Sequence, residues 1–295
     1  MRLLLVTLRT VSASVRMLLV FTILLGIGYP LAVTAIAQFP GLNDRADGSL
    51  ITQNSHLTGS ALIGQSFLDR DGVPLVQYFQ PRPSVAGANG YDPTATAAGN
   101  LGPESIVDTL PAIKGGTGKS SLLSQVCSRS RAVGKLDGVD GSRAYCTRDG
   151  VGAVLAVFWS GPGYHGSITR VVSINQTPPA TPFLDRYRGI KVELASYGQD
   201  YSRGQVVPIR GDAPSTPAVP ADAVTASGSG LDPDISPTYA RIQEATVARA
   251  RGVSVAQVDR LVRHYSKGRA LGFLGEPTVN VPQLNLALDR QYPTR

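Results

Sequence analysis

The chain has 295 residues, 42% of them hydrophobic, so it can bury one or two cores and is not read as disordered. Only 17% are charged, and 32 Gly with 21 Pro imply much loop and turn. The net charge is +7, but the 28 Lys and Arg are dispersed without a basic run or interleaved aromatics, which leaves no nucleic-acid motif and makes an anionic membrane surface the more natural partner.

Arg2, Arg9 and Arg16 precede an uncharged run, residues 17–37, that reads MLLVFTILLGIGYPLAVTAIA. At about 1.5 Å rise per residue it reaches about 31 Å, enough for a bilayer core. Three arginines and no acid on the short N-terminal side predict that residues 1–16 stay in the cytoplasm and the rest lies outside. Ala35-Ile36-Ala37 has the small-x-small form of a signal cleavage site, but the apolar run is longer than a signal core, so a retained anchor is the reading. Pro30 is tolerated in such a helix where a kink or a neighbour satisfies the freed carbonyl.

Residues 38–112 are polar and rich in Gly and Pro, with short apolar runs at 60–67 and 75–79 that read as strands. Pro81-Arg82-Pro83 stops the second, and no helix of useful length is expected there. Residues 113–215 read as a β-rich lobe, with strands expected at 151–159, 168–174 and 190–194 and a loop, SGPGYHGS, at 160–167. Cys127 and Cys146 fall in this lobe with no zinc-type spacing, and in an oxidising space they are candidates for a disulfide, with two inert thiols as the alternative. A Pro-rich connector, 213–221, leads to a helical last part, 216–295. There Ser236-Pro237 and Gly252 bracket one helix. Ser254 with Gln257 opens a second, whose apolar face is Val255, Val258, Leu261, Val262 and Tyr265; a third is expected at 282–291.

The lobe opens with GGTGKSS at 115–121, which resembles a phosphate-binding loop. That loop needs Gly, four residues, then Gly-Lys-Ser, and the first Gly would fall on Ile113. No buried strand precedes it either, since 105–114 carries a Pro and scattered polar residues. The stretch is read as a basic Gly/Ser loop that does not bind ATP.

His56, His165 and His264 stand far apart and in no metal-binding pattern, so no metal site is expected. Ser227, Ser229 and Asp232 crowd a Gly-rich turn, VTASGSGLDP at 224–233, but not as Gly-x-Ser-x-Gly, and a tight turn explains the same letters. Asp108, Asp185, Glu193 and Asp200 form no spaced acidic set. An envelope serine hydrolase using Ser229, or another exposed Ser, with His165 is the alternative from another class. A periplasmic ligand-binding protein is the third reading, and it would need a sizeable apolar pocket.

Seven stretches, taken in order, resemble one family: Tyr29-Pro30-Leu31, Gly48-Ser49-Leu50, GSALIGQSF at 59–67, YFQPRPS at 78–84, NLGPES at 100–105, VTASGSGLDPDISPTYARIQ at 224–243 and GFLGEPTVNVPQLNLALD at 272–289. Together they are similar to the C subunit of the bacterial Kdp potassium-transporting P-type ATPase complex. Two departures stand out: 113–215 replaces a shorter, mainly helical connection, and Thr246 stands where the family tends to carry a basic residue.

The resemblance implies a noncatalytic subunit in the cell membrane that helps assemble the complex. As a catalytic chaperone it would raise the ATP affinity of the ATP-hydrolysing P-type subunit, and a channel-like subunit would carry potassium. No cofactor of its own is implied; ATP enters through the partner. The expected fold is α+β: one N-terminal transmembrane helix, then an extracytoplasmic domain of short strands and C-terminal helices, with the β-rich lobe inserted. Expected partner contacts are Gly26 and Gly28 in the membrane helix, and Gln65, Tyr78, Phe79, Arg82, Ser84, Ser227, Ser229, Asp232, Asn280 and Asn285 outside it.

Overall fold

The computed structural model describes residues 2–53, 55–96 and 104–294, with side chains from Val6 onward, so residues 100–103 of NLGPES lie outside the described residues. The chain divides into two compact units, Met1–Leu62 and Ile63–Arg295.

In the first unit, α1 (Arg2–Ile23) runs through a π-helical stretch (Leu24–Gly28) into α2 (Tyr29–Ala37). Pro30 has no N–H to return to Gly26, and just before it the Tyr29 N–H reaches back to Leu24 O, five residues away. The widened turn thus absorbs the proline where an unbroken α-helix would lose a bond to it. Val6–Ala37 is long and apolar enough to cross a membrane. Leu18 and Leu31 are 67% and 64% exposed, an arrangement suited to lipid and not to water. A single turn, α3 (Asn43–Ala46), and an antiparallel hairpin of β1 (Leu50–Gln53) and β2 (His56–Ser60) complete the unit.

In the second unit the segment 63–96 contains no named strand, contrary to the strands expected at 60–67 and 75–79. Its backbone groups are satisfied elsewhere. Gly64 N–H donates to Leu231 O at 2.8 Å, Phe79 N–H to Asn285 Oδ1 at 2.8 Å and Gln80 N–H to Gln243 Oε1 at 2.6 Å. These distant acceptors replace the partner strand that the local alternation suggested.

The lobe begins with a helix that the texture of 113–215 did not suggest, α4 (Leu122–Asp137). Its inward positions include Ser124, Ser130 and Gly134, so the apolar period is broken where the helix packs most closely. A Cβ on Gly134 would lie 2.6 Å from Gly141 Cα, which is why a small residue serves there.

The lobe's sheet comprises β3 (Val154–Gly161), β4 (His165–Ser173), β5 (Arg186–Tyr187), β6 (Ile190–Leu194) and β7 (Gln205–Pro208), in the order β5-β6-β4-β3-β7. Only the β4–β6 pair is parallel. Val154 and Ala156 face one hydrophobic cluster and Leu155 and Val157 the other, so the strand is apolar throughout because both its faces are covered. Cys127 and Cys146 are joined as a disulfide, tying α4 to the strand approach, with Cα atoms 5.4 Å apart.

The last part carries β8 (Asp234–Ile235), α5 (Pro237–Arg251), α6 (Val255–His264), β9 (Ser266–Lys267), β10 (Thr278–Asn280) and α7 (Val281–Gln291). The three strands form a small antiparallel sheet with β10 central. Helix ends follow local chemistry: Ser236 caps α5, Gly252 ends it at φ 65°, and Ser254 and Gln257 form a reciprocal capping box on α6. Of the expected α6 face, Val258, Leu261 and Val262 are buried, whereas Val255, in the first turn, is 46% exposed. The core of this part includes Phe79, Val219, Ile235, Tyr239, Leu284 and Leu288, and Val126 and Val133 of α4 pack on it. The connector 213–221 is therefore no free linker, since its Val219 is fully buried.

The fold is α+β, with one N-terminal apolar helix, several small sheets and C-terminal helices.

Candidate functional site

Two of the stretches singled out above, 78–84 and 224–233, meet with Tyr91 in one turn system. Arg82 reaches Asp232 at 3.4 Å and the Ala226 carbonyl at 3.3 Å. The Ser84 hydroxyl donates to Gly230 O at 2.6 Å and its oxygen accepts the Tyr91 N–H at 2.8 Å. Tyr91 donates its hydroxyl to Arg82 O at 2.7 Å, and burial holds that phenol well above its ordinary pKa. Ser227 Oγ accepts the Gly230 N–H at 3.1 Å, and Ser229 Oγ accepts the Leu231 N–H at 3.1 Å. Arg129 of α4 also reaches this turn, through the Val224 carbonyl at 3.0 Å, so the inserted lobe buttresses it.

The structure separates the expected contact residues by burial. Phe79, Asn280 and Asn285 are at most 2% exposed. Asn285 brackets Phe79 through both its N–H and its carbonyl, and Asn280 caps α7 by accepting the Gln283 N–H at 3.1 Å. These three side chains are committed inside the unit and offer no surface to a partner in this conformation. Gln65 and Ser229 are exposed, and Tyr78, Arg82, Ser84, Ser227 and Asp232 are half-buried. In the first unit, a Cβ on Gly26 would meet only Thr22 Cγ2 at 3.9 Å and one on Gly28 only Ile23 O at 3.6 Å, so space beside both is open. Being two positions apart, they stand on different sides of the helix.

Sequence reasoning missed the residues that hold this region together. The Arg251 side chain is fully buried and bonds to Asp289 at 2.8 Å, Gln77 O at 2.7 Å and Tyr292 O at 2.8 Å, with its guanidinium 5.0 Å from the Tyr78 ring centre. Tyr78 donates to the same Asp289 at 3.1 Å, and burial followed by that carboxylate raises its phenol pKa. Gln243 is likewise buried, clasping Gln80 through both amide groups. Thr246 sits beside the end of α4, its hydroxyl 3.4 Å from Leu136 O. One signal was legible: Arg251 and Gln243 are polar residues on the same face of α5 as Val247 and Ala248, which are themselves buried.

The GGTGKSS stretch does lead into a helix N-terminus, where a phosphate would be held. Asp108 already occupies that position. Its Oδ1 accepts the Ser121 N–H at 2.7 Å and the Ser121 hydroxyl at 2.6 Å, and its Oδ2 accepts the Ser124 hydroxyl at 2.9 Å. The glycines have a local reason too, because a Cβ on Gly118 would stand 2.7 Å from Thr109 O. Lys119 is exposed, and its backbone pairs with Thr109 in both directions.

No hydrogen bond among the described residues joins Ser227 or Ser229 to His165, which is exposed at the turn between β3 and β4. Among the described residues no three His, Cys, Asp or Glu side chains gather to hold a metal.

A family model described as the c chain of the K+-transporting ATPase matches residues 11–112 and 199–290, more than half of the chain. A potassium-transporting ATPase KdpC subunit of Kineococcus radiotolerans is 37% identical over 286 residues, covering 97% of this chain and 96% of its own length. That of Beijerinckia indica is 34% identical over 276 residues, 94% of this chain and 91% of its own. That of Mycobacterium tuberculosis is 33% identical over 282 residues, 96% and 98%. The family model passes over 113–198, whereas the alignments to these relatives extend over nearly the whole of this chain. The chain belongs to the KdpC family, the c chains of the K+-transporting ATPases.

Proposed function

We propose that this chain is the noncatalytic C subunit of a potassium-importing complex, joined to a channel-like potassium-translocating subunit and an ATP-hydrolysing P-type subunit. It assists assembly and raises the ATP affinity of the P-type subunit. The observation that carries the reading is the pairing of family membership with a helix N-terminus closed by Asp108 at the one stretch resembling a phosphate loop. ATP would then act through the partner, and any effect on its affinity is a coupling free energy between the subunits' states. The N-terminus lies in the cytoplasm and the second unit outside, a reading supported by Arg9 and Arg16 ahead of the uncharged run. Open helix surface at Gly26 and Gly28 suits close approach of partner helices, and Gln65, Ser229 and the half-buried Tyr78, Arg82, Ser84, Ser227 and Asp232 form the contact set outside the membrane.

The test is purification of the full-length tagged chain in mild detergent from cells grown at limiting potassium, followed by mass spectrometry and ATPase assays. A P-type ATPase and a polytopic channel-like protein in stable proportion are expected, with the KM for ATP rising when this chain is depleted. Recovery of the chain alone while those partners are present in the membrane overturns the assembly role. An unchanged KM overturns the chaperone role.

A further inference from the structure

Between β9 and β10 the chain makes a small loop that carries its apolar side chains outward. Leu271 is 83% exposed, Phe273 69% and Leu274 51%. The loop is tightly built: Ala270 and Leu274 exchange backbone hydrogen bonds of 2.8 and 2.9 Å, and Arg269 pairs with Glu276 across its base at 2.7 Å. Leu271 holds φ at 52°, in the left-handed region that a branched side chain seldom adopts. Three large apolar groups are thus presented in a closed, strained conformation although none of the described residues of the second unit covers them.

We propose that this loop inserts into the interfacial layer of an anionic bilayer, as a second, weak membrane contact besides the N-terminal helix. Three observations favour lipid as the occupant. The apolar tip consists of three exposed side chains, Leu271, Phe273 and Leu274, flanked in sequence by Arg269 and Glu276, whereas a stable protein interface needs a broad complementary patch. Lys267 at the base of the loop carries no ion pair among the described residues, which leaves a positive charge at headgroup level. The same chain carries a helix fit to cross the bilayer, and this covalent tether raises the effective concentration of lipid for the second unit, so that even a weak insertion is populated. The inference rests on this membrane anchoring and not on which proteins the chain assembles with.

The test uses the full-length chain carrying Phe273→Cys, labelled with a nitroxide while the native cysteines remain paired, and reconstituted alone into nanodiscs. Accessibility to oxygen and to a water-soluble nickel chelate is read in phosphatidylglycerol-rich and in purely phosphatidylcholine bilayers. We expect nickel accessibility about threefold or more lower in the anionic discs, with oxygen accessibility raised. Lys267→Glu is expected to reverse most of this shift, and a label at Thr117→Cys is expected to remain nickel-accessible throughout. A Phe273→Cys label equally open to nickel in both bilayers overturns the proposal. So does a label protected from both probes only after partner subunits are added, because the loop would then be a protein contact. Both outcomes are read independently of co-purification, so they leave the subunit reading standing or falling on its own test.

Discussion

Asp108 accepts both the N–H and the hydroxyl of Ser121, at 2.7 and 2.6 Å, and so places a carboxylate at the helix N-terminus that follows GGTGKSS. The anion position there is filled by the chain itself. Replacing Lys119 with Ala is therefore expected to leave the apparent ATP affinity of the assembled complex unchanged, and stability within about 0.5 kcal/mol. Asp108→Ala should cost about 1–3 kcal/mol by denaturant titration, because it strands buried donors on Ser121 and Ser124. A tenfold loss of ATP affinity in Lys119→Ala would contradict this assignment.

Arg251 is an internal tie and not a surface charge. Its guanidinium is satisfied by Asp289 and two carbonyls while it stacks on Tyr78. Arg251→Met should destabilise the chain by about 3–5 kcal/mol, since Asp289 loses its partner in a site closed to water on the arginine side. Arg251→Lys should recover only part of this, because one ammonium cannot reproduce the forked contacts. Equal stability of the two variants would argue against the geometry.

At the end of α4, burial pushes the Asp137 carboxyl up to about 6, against the opposing pull of the Thr246 hydroxyl, and its Oδ2 has no hydrogen-bond partner among the described residues. A raised folded pKa means that the folded state binds the proton more tightly than the unfolded chain. This contribution is fully present below the ordinary carboxylate pKa of about 4 and is lost as pH rises through about 6. Asp137→Asn should accordingly stabilise the protein near pH 7.5 by about 1 kcal/mol, the shift being discounted for partial solvent access, and do little near pH 4. Thermal melts of both proteins across that range check the sign.

The Cys127–Cys146 bridge closes a loop of modest length, 19 positions apart in sequence. Its removal by Cys127→Ser with Cys146→Ser should cost about 3 kcal/mol. Melting the wild-type chain with and without reductant should reproduce the effect, and a double variant insensitive to reductant closes the comparison.

Much of this molecule is local and was legible in its letters. Ser236-Pro237, Gly252 and the Ser254/Gln257 pair act within one or two turns of backbone, and the uncharged run needs only length and composition to read as a membrane span. The ordered motifs likewise pointed to the family without any coordinates. Only the tertiary structure decided what those motifs do. Phe79 is bracketed by Asn285 across 206 positions, and Gln80 by Gln243 across 163, pairings that no local period encodes. They turned expected strands into irregular backbone, and buried side chains that the sequence offered as contacts. The α4 helix was hidden for a related reason, since its closest packing uses Ser124, Ser130 and Gly134, whose fitness depends on what lies against them and not on their hydrophobicity.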